Sequence, residues 1–127
     1  MFSLNTLWLF LIIKHFVCDF PLQAFPYMYK NKGDYGHPGG ILHSLIHMIG
    51  MFIVVYYVTS TLQFAIVACL IDFAVHYHID WAKMNISRLY NLKPDNSEWF
   101  WILLGVDQLL HYLTYYGIIS YLMWSMV

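Results

Sequence analysis

The chain has 127 residues, of which 61% are hydrophobic, 20% aromatic and only 10% charged, with a formal net charge of −1. This composition argues against an ordinary water-soluble domain and for a protein dissolved in a bilayer. The few basic residues form no stripe interleaved with aromatics, so nothing points to nucleic acid, and Cys18 and Cys69 read as small buried apolar side chains without a disulfide framework.

The first apolar stretch runs from Leu4 to Phe20. No basic residue precedes it and no small-x-small site follows it, so it is expected to be a retained span and not a cleaved signal. After it, "PLQAFPYMYKNKGDYGHPGG" carries three prolines and four glycines and reads as an irregular loop. Spans two (Ile41 to Ser60) and three (Leu62 to Trp81) are joined almost directly through "TST", which makes them a tight antiparallel hairpin. The next connection, "AKMNISRLYNLKPDNSE", has periodic apolar positions at Met84, Ile86, Leu89 and Leu92, and so suggests a short interfacial helix. Pro94 ends it, "DNSE" offers a cap, and the last span covers Phe100 to Met123. Each stretch is near the roughly 20 residues that cross a bilayer as helix. The expected fold is therefore all-α: residues 1–127 form a single domain, a polytopic bundle of four transmembrane helices.

Lys30 and Lys32 lie in the first loop, and Lys83, Arg88 and Lys93 in the third. The positive-inside rule makes both loops cytoplasmic and puts both termini outside the cytoplasm. Lys14, inside span one, is expected to extend its stem toward the same boundary. Gly50, Gly105 and Gly117 read as points of close helix contact.

Ionisable side chains inside a span cost roughly 2.5 to 3.5 kcal/mol each and so are functional candidates by default. Span one holds His15 and Asp19, span two His43 and His47, span three His76 and Asp80, and span four Asp107 and His111. Each pair is spaced i, i+4, about 40° apart in rotation and about 6 Å in height, and therefore shares one helix face. All eight fall toward the cytoplasmic ends of their spans. Such a layer is how helical bundles build an inward-facing metal site. Eight nitrogen and oxygen donors exceed what one tetrahedral ion needs, so two divalent ions are expected, zinc first, with iron or manganese also matching the donors. Two ions and a bridging hydroxide would balance Asp19, Asp80 and Asp107. Asp72, one turn further into span three, is expected to orient His76, to add a ligand, or to serve with Lys83 as general acid or base. Gln23 and Gln108 are placed to contact substrate. His78, about 200° around the helix from His76, is left out, and His37 reads as a loop histidine.

"HFVCDFPLQ", "LHSLIHM", "HYHIDWAK" and "DQLLH" together resemble the domain-of-unknown-function family 3307 of small bacterial and phage membrane proteins. The resemblance covers nearly the whole chain and implies a helical membrane protein, expected in a bacterial inner membrane. More loosely, the arrangement is similar to the YdjM-type membrane-bound metal-dependent hydrolases. The resulting expectation is a metal-dependent hydrolase of a phosphoester or lipid-linked substrate. The alternatives are a transporter of metal ions or protons and a di-iron oxidase, for which "HSLIH" has the H-x3-H form of a desaturase box. Partners are the lipid bilayer, the substrate and a possible second copy of the chain.

Overall fold

The computed structural model describes residues 3–125. Five helices follow in order: α1 (Leu4–Asp19), α2 (Pro26–Tyr29), α3 (Pro38–Thr59), α4 (Leu62–Leu89) and α5 (Glu98–Trp124), with no strand among the described residues. The starts of the long helices have local causes. The Ser3 hydroxyl accepts from the Thr6 N–H ahead of α1, and Ser97 accepts from the Trp99 N–H ahead of α5, each satisfying a donor that the first turn leaves open. His37 caps α3 through Nδ1, which accepts from the Gly39 N–H at 3.0 Å, and Pro38 occupies the first helical position. The α3–α4 hairpin turns at Ser60, whose φ of 55° is left-handed.

α4 runs 28 residues to Leu89, well past the expected end at Trp81. The suspected interfacial helix is thus the last two turns of α4 and not a separate element. The apolar run stops at Trp81, but no glycine or proline interrupts the backbone before Asn91, whose φ of 50° ends the helix. This extension gives the first loop a rail. Arg88 pairs with Asp34 at 2.6 Å, and Asn85 donates to the Gly33 carbonyl at 2.9 Å. The loop is also less irregular than expected, since it contains α2.

α3 packs along α4, α1 lies against α3, and α5 against α4. One end of the bundle is an apolar core of Leu7, Leu11, Met51, Val55, Ala68 and Leu122, all buried. The other end holds the polar side chains. Outward, every long helix turns large apolar groups: Leu9 and Phe16 on α1, Ile49 and Ile53 on α3, Leu62 and Leu70 on α4, Leu109 and Leu113 on α5. Two of the helices, α3 and α4, are long and apolar enough by composition to cross a membrane.

Lys14 is a correction. Instead of stretching to the boundary, its side chain is 3% exposed and pairs with the Asp72 carboxylate, 1% exposed, on α4; it also donates to the Tyr115 hydroxyl oxygen at 3.1 Å. The pull toward the boundary loses to the cost of a bare buried carboxylate, which Asp72 would otherwise be. Gly50 makes room for this arrangement, because a β-carbon there would stand 2.9 Å from Lys14 Cγ. Gly105 and Gly117 face open space, so only Gly50 of the three marks a close helix contact.

Lys14→Met should destabilise the fold by about 3 to 5 kcal/mol, the cost of leaving one partner of a buried pair uncompensated. Lys14→Met/Asp72→Leu should recover most of that loss. Unfolding of the three detergent-solubilised proteins checks both values.

Candidate metal centre

The i, i+4 spacing delivers what it promises, because each helix turns one polar face inward. All eight expected residues are buried: His15 and Asp19 on α1, His43 and His47 on α3, His76 and Asp80 on α4, Asp107 and His111 on α5. They separate into unequal sets.

The tight set is Asp19, His43, His47 and His76. Asp19 Oδ1 lies 3.1 Å from His47 Nε2, 3.2 Å from His43 Nε2 and 3.9 Å from His76 Nε2. The Nε2 atoms of His43 and His76 are themselves 3.1 Å apart. A zinc ion bound at about 2.0 to 2.1 Å would hold its tetrahedral donors about 3.3 to 3.4 Å apart. The observed edges bracket that value. Hydrogen bonding explains this convergence poorly. His43 and His47 already match the two lone pairs of Asp19 Oδ1, and His76 at 3.9 Å is too far to donate to it, whereas a cation takes a lone pair from each ring.

The looser set is His76, Asp80 and His111. Asp80 lies 3.3 Å from His76 Nε2 and 3.6 Å from His111 Nε2, and Asp107 Oδ1 is also 3.6 Å from His111 Nε2. His111 Nε2 has no hydrogen-bond partner despite its burial. Two features make this set the weaker holder of an ion. It shares His76 with the first set, and an Nε2 lone pair serves one cation. It also already contains a cation: Lys32 Nζ sits 2.7 Å from Asp80 Oδ2.

Two of the eight lie outside both sets. His15 Nε2 is 2.9 Å from Gln108 Oε1 and 3.1 Å from Asp19 Oδ2, and its Nδ1 is 3.0 Å from the Tyr115 hydroxyl. Nε2 faces two acceptor oxygens, of Gln108 and Asp19, so it carries the ring proton, and Nδ1 accepts from the Tyr115 hydroxyl. A protonated Nε2 orients the Asp19 carboxylate and has no lone pair for a metal. Asp107 stands at the edge, 3.9 Å from Lys83 Nζ.

The remaining expected residues divide in the same way. Gln108 bridges the layer, its amide donating to Asp107 Oδ2 at 3.1 Å. Gln23 donates to the Asp19 carbonyl at 2.7 Å and accepts from Lys32. Lys83 is at the mouth with its side chain 18% exposed. Asp72 is turned away from the cluster and taken up by Lys14.

Lys32, Lys14 and Tyr115 belong to this layer without having stood out in the sequence. Lys32 reads there as an orientation signal in a loop; in the structure it is buried, with Nζ also 3.4 Å from His43 Nε2. Its delivery has a local cause. The loop backbone passes so close to the start of α3 that a β-carbon on Gly40 would meet Lys32 Cα at 3.3 Å. The Gly39–Gly40 pair was the available signal.

At its mouth the layer meets a cavity of about 550 Å³, whose lining includes Gln23, Lys32, Lys83, Arg88 and Lys93. Lys32 and Lys83 face the cavity on one side and the carboxylates of Asp80 and Asp107 on the other.

The chain belongs to the DUF3307 family of proteins of unknown function. The family model matches residues 7–126, which takes in every residue of the layer. No curated protein and no solved structure matches the chain.

The geometry predicts that zinc or cobalt stabilises the purified protein, by about 2.7 kcal/mol at a hundredfold excess over the dissociation constant. The gain should vanish in His43→Ala/His47→Ala and persist in Asp107→Asn. Thermal unfolding with and without the ion, beside elemental analysis, checks this.

Proposed function

We propose that the chain is a membrane-embedded, metal-dependent hydrolase of phosphoesters, working at the cytoplasmic face of a bacterial inner membrane. The observation that carries this reading is the junction of a buried His/Asp cluster with a cavity lined by four cationic side chains, Lys32, Lys83, Arg88 and Lys93. A cation site alone would need no anion-binding antechamber.

Asp19, His43, His47 and His76 would hold the ion. When bound there, such an ion lowers the pKa of a coordinated water and polarises a phosphoryl oxygen. The other roles fall to the chain's own groups. Lys32 and Lys83, between cavity and cluster, would draw the phosphate toward the carboxylate layer and offset its charge. His111, between Asp80 and Asp107, can hold a proton at Nε2 and release it to a leaving oxygen. His15 and Gln108 keep Asp19 in place. The buried charges favour one resident ion. With the imidazoles in their neutral form, Asp19, Asp72, Asp80 and Asp107 against Lys14 and Lys32 leave −2 in the interior, which a single divalent cation neutralises. The two-ion expectation from the sequence requires two further negative charges, which a phosphomonoester dianion would bring on arrival.

All four long helices are read as spans, α1 and α5 joining α3 and α4 because they too face outward with leucine, phenylalanine and tyrosine. Transport is less well supported. Among the described residues, the polar layer stops at Lys14, Asp72 and Tyr115, and the interior beyond is the apolar core around Leu7, Met51 and Leu122.

The hydrolase reading predicts that the purified protein releases phosphate from p-nitrophenyl phosphate and that a chelator abolishes the release. Lys83→Met should lower kcat/KM by about 100-fold with bound metal unchanged. Hydrolysis indifferent to chelator would sink the proposal, and tightly bound iron without hydrolysis would favour the oxidase.

The topology predicts that cysteines introduced as Asp34→Cys and Asp95→Cys react with an impermeant maleimide only from the cytoplasmic side, and Ser60→Cys only from the opposite side. The native Cys18 and Cys69 are buried and should stay silent. Labelling of all three from one side would remove the four-span arrangement.

A further inference from the structure

Beside the basic cavity lies a second hollow of different character. It is a groove of about 510 Å³ between α4 and α5, with Val75, Ile79, Ala82, Val106 and Leu110 among its walls and Lys83 and Asp107 as its charged side chains. Lys83 lines both this groove and the basic cavity, so the two spaces meet at one ammonium group. From Lys83 to Val75 the groove follows eight residues of helix, about 12 Å along the axis. It opens sideways, since Val75, Val106 and Leu110 are all exposed on the outer face. A further apolar hollow of about 440 Å³ shares Ile86, Leu103 and Val106 with it and extends it toward the start of α5.

We propose that this groove seats the hydrocarbon chain of a membrane lipid with a net-anionic phosphate head group, which enters from the side and places that head group in the basic cavity. The inference rests on the hydrolase reading for what happens to the lipid, but the binding claim stands on the groove itself. Charge complementarity selects the occupant. The apolar walls accept any lipid tail, whereas Lys32, Lys83, Arg88 and Lys93 at the end of the same path discriminate for an anionic head carried by that tail. A water-soluble phosphoester would use the cavity and leave the groove to bulk lipid. The α4–α5 seam serves as the side entrance, because α5 packs chiefly on α4 and the polar layer reaches the groove there, through Lys83 and Asp107.

The test uses the full chain in vesicles of phosphatidylcholine doped with dioleoyl phosphatidic acid. After extraction into mild detergent, the lipid retained per chain is counted by native mass spectrometry, with metal content measured on the same samples. Phosphatidic acid should be retained about tenfold above its share of the vesicle, and glycerol 3-phosphate in excess should not displace it. Ala82→Trp and Val106→Trp, each filling the groove, should reduce retention to the phosphatidylcholine level while bound metal is unchanged. Equal retention of the two lipids, displacement by glycerol 3-phosphate, or wild-type retention in both tryptophan variants would overturn the proposal. Should the variants fail to fold, the lipid preference and the glycerol 3-phosphate arm on the native chain still decide it. Selective retention without chelator-sensitive hydrolysis would keep the lipid site and discard the hydrolase. Chelator-sensitive hydrolysis without lipid preference would do the reverse.

Discussion

Removing a carboxylate from water is the cost around which this molecule is arranged. Four aspartates lie in the interior of a chain with few polar partners to offer, and an isolated buried charge costs several kcal/mol even after relaxation. Each aspartate is therefore met by something specific. Asp72 takes Lys14 and Asp80 takes Lys32. Asp107 leans toward Lys83 and Gln108. Asp19 has no lysine; it is met by four imidazoles, of His15, His43, His47 and His76. Neutral imidazoles bring dipoles and lone pairs but no charge, so Asp19 sits where the interior is left most negative. The place that most needs a cation is also the place where the neutral donors converge.

The same constraint positions the helices. α1 is short, at 16 residues, and its apolar contacts lie at one end of the bundle. At the other end it is tied by Lys14 to α4, by His15 to α5 and by Asp19 to α3. Those three residues occupy six consecutive positions and reach all three partner helices. The site therefore also fixes where α1 sits in the bundle, which couples the geometry of the cluster to the integrity of the fold. The first loop is fastened similarly by two ion pairs, Lys32 with Asp80 and Asp34 with Arg88. Together these hold it over the mouth.

How much of this could be read from the residues depended on whether a feature was periodic. The four helices and the eight-residue layer were accessible because i, i+4 spacing fixes rotation and height within a helix, and a common depth then brings four faces together. Lys14 could not be placed in this way. Its stem is long enough for either the boundary or the interior, and the choice depends on Asp72, fifty-eight positions away. Lys32 was hidden for a related reason, since a loop lysine carries no periodicity and its burial follows from how closely the backbone crosses Gly40. The end of α4 was misplaced because hydropathy reports where a helix leaves the apolar phase. The helix itself continues until a residue such as Asn91 turns the backbone left-handed. The position of the His15 ring proton follows from the Gln108 carbonyl oxygen, ninety-three positions away, a contact that no local pattern encodes.

Depth is the property that separates catalysis from conduction in such a layer. A conducting path needs polar groups at intervals across the whole hydrophobic thickness, whereas a catalytic pocket needs them concentrated at one depth with dry walls around. Here the chain of contacts from the mouth runs through Asp80, His43, Asp19, His15 and Tyr115 to Lys14 and Asp72, and there the two charges neutralise each other. The next layer is leucine, methionine and valine. An ion moving past Asp72 would leave its last ligand and enter packed hydrocarbon, at a cost that nothing beyond offsets. The Lys14–Asp72 pair thus closes the floor of the site. A one-ended, sealed, negatively charged chamber with a basic entrance favours chemistry on an anion that arrives and leaves by the same side.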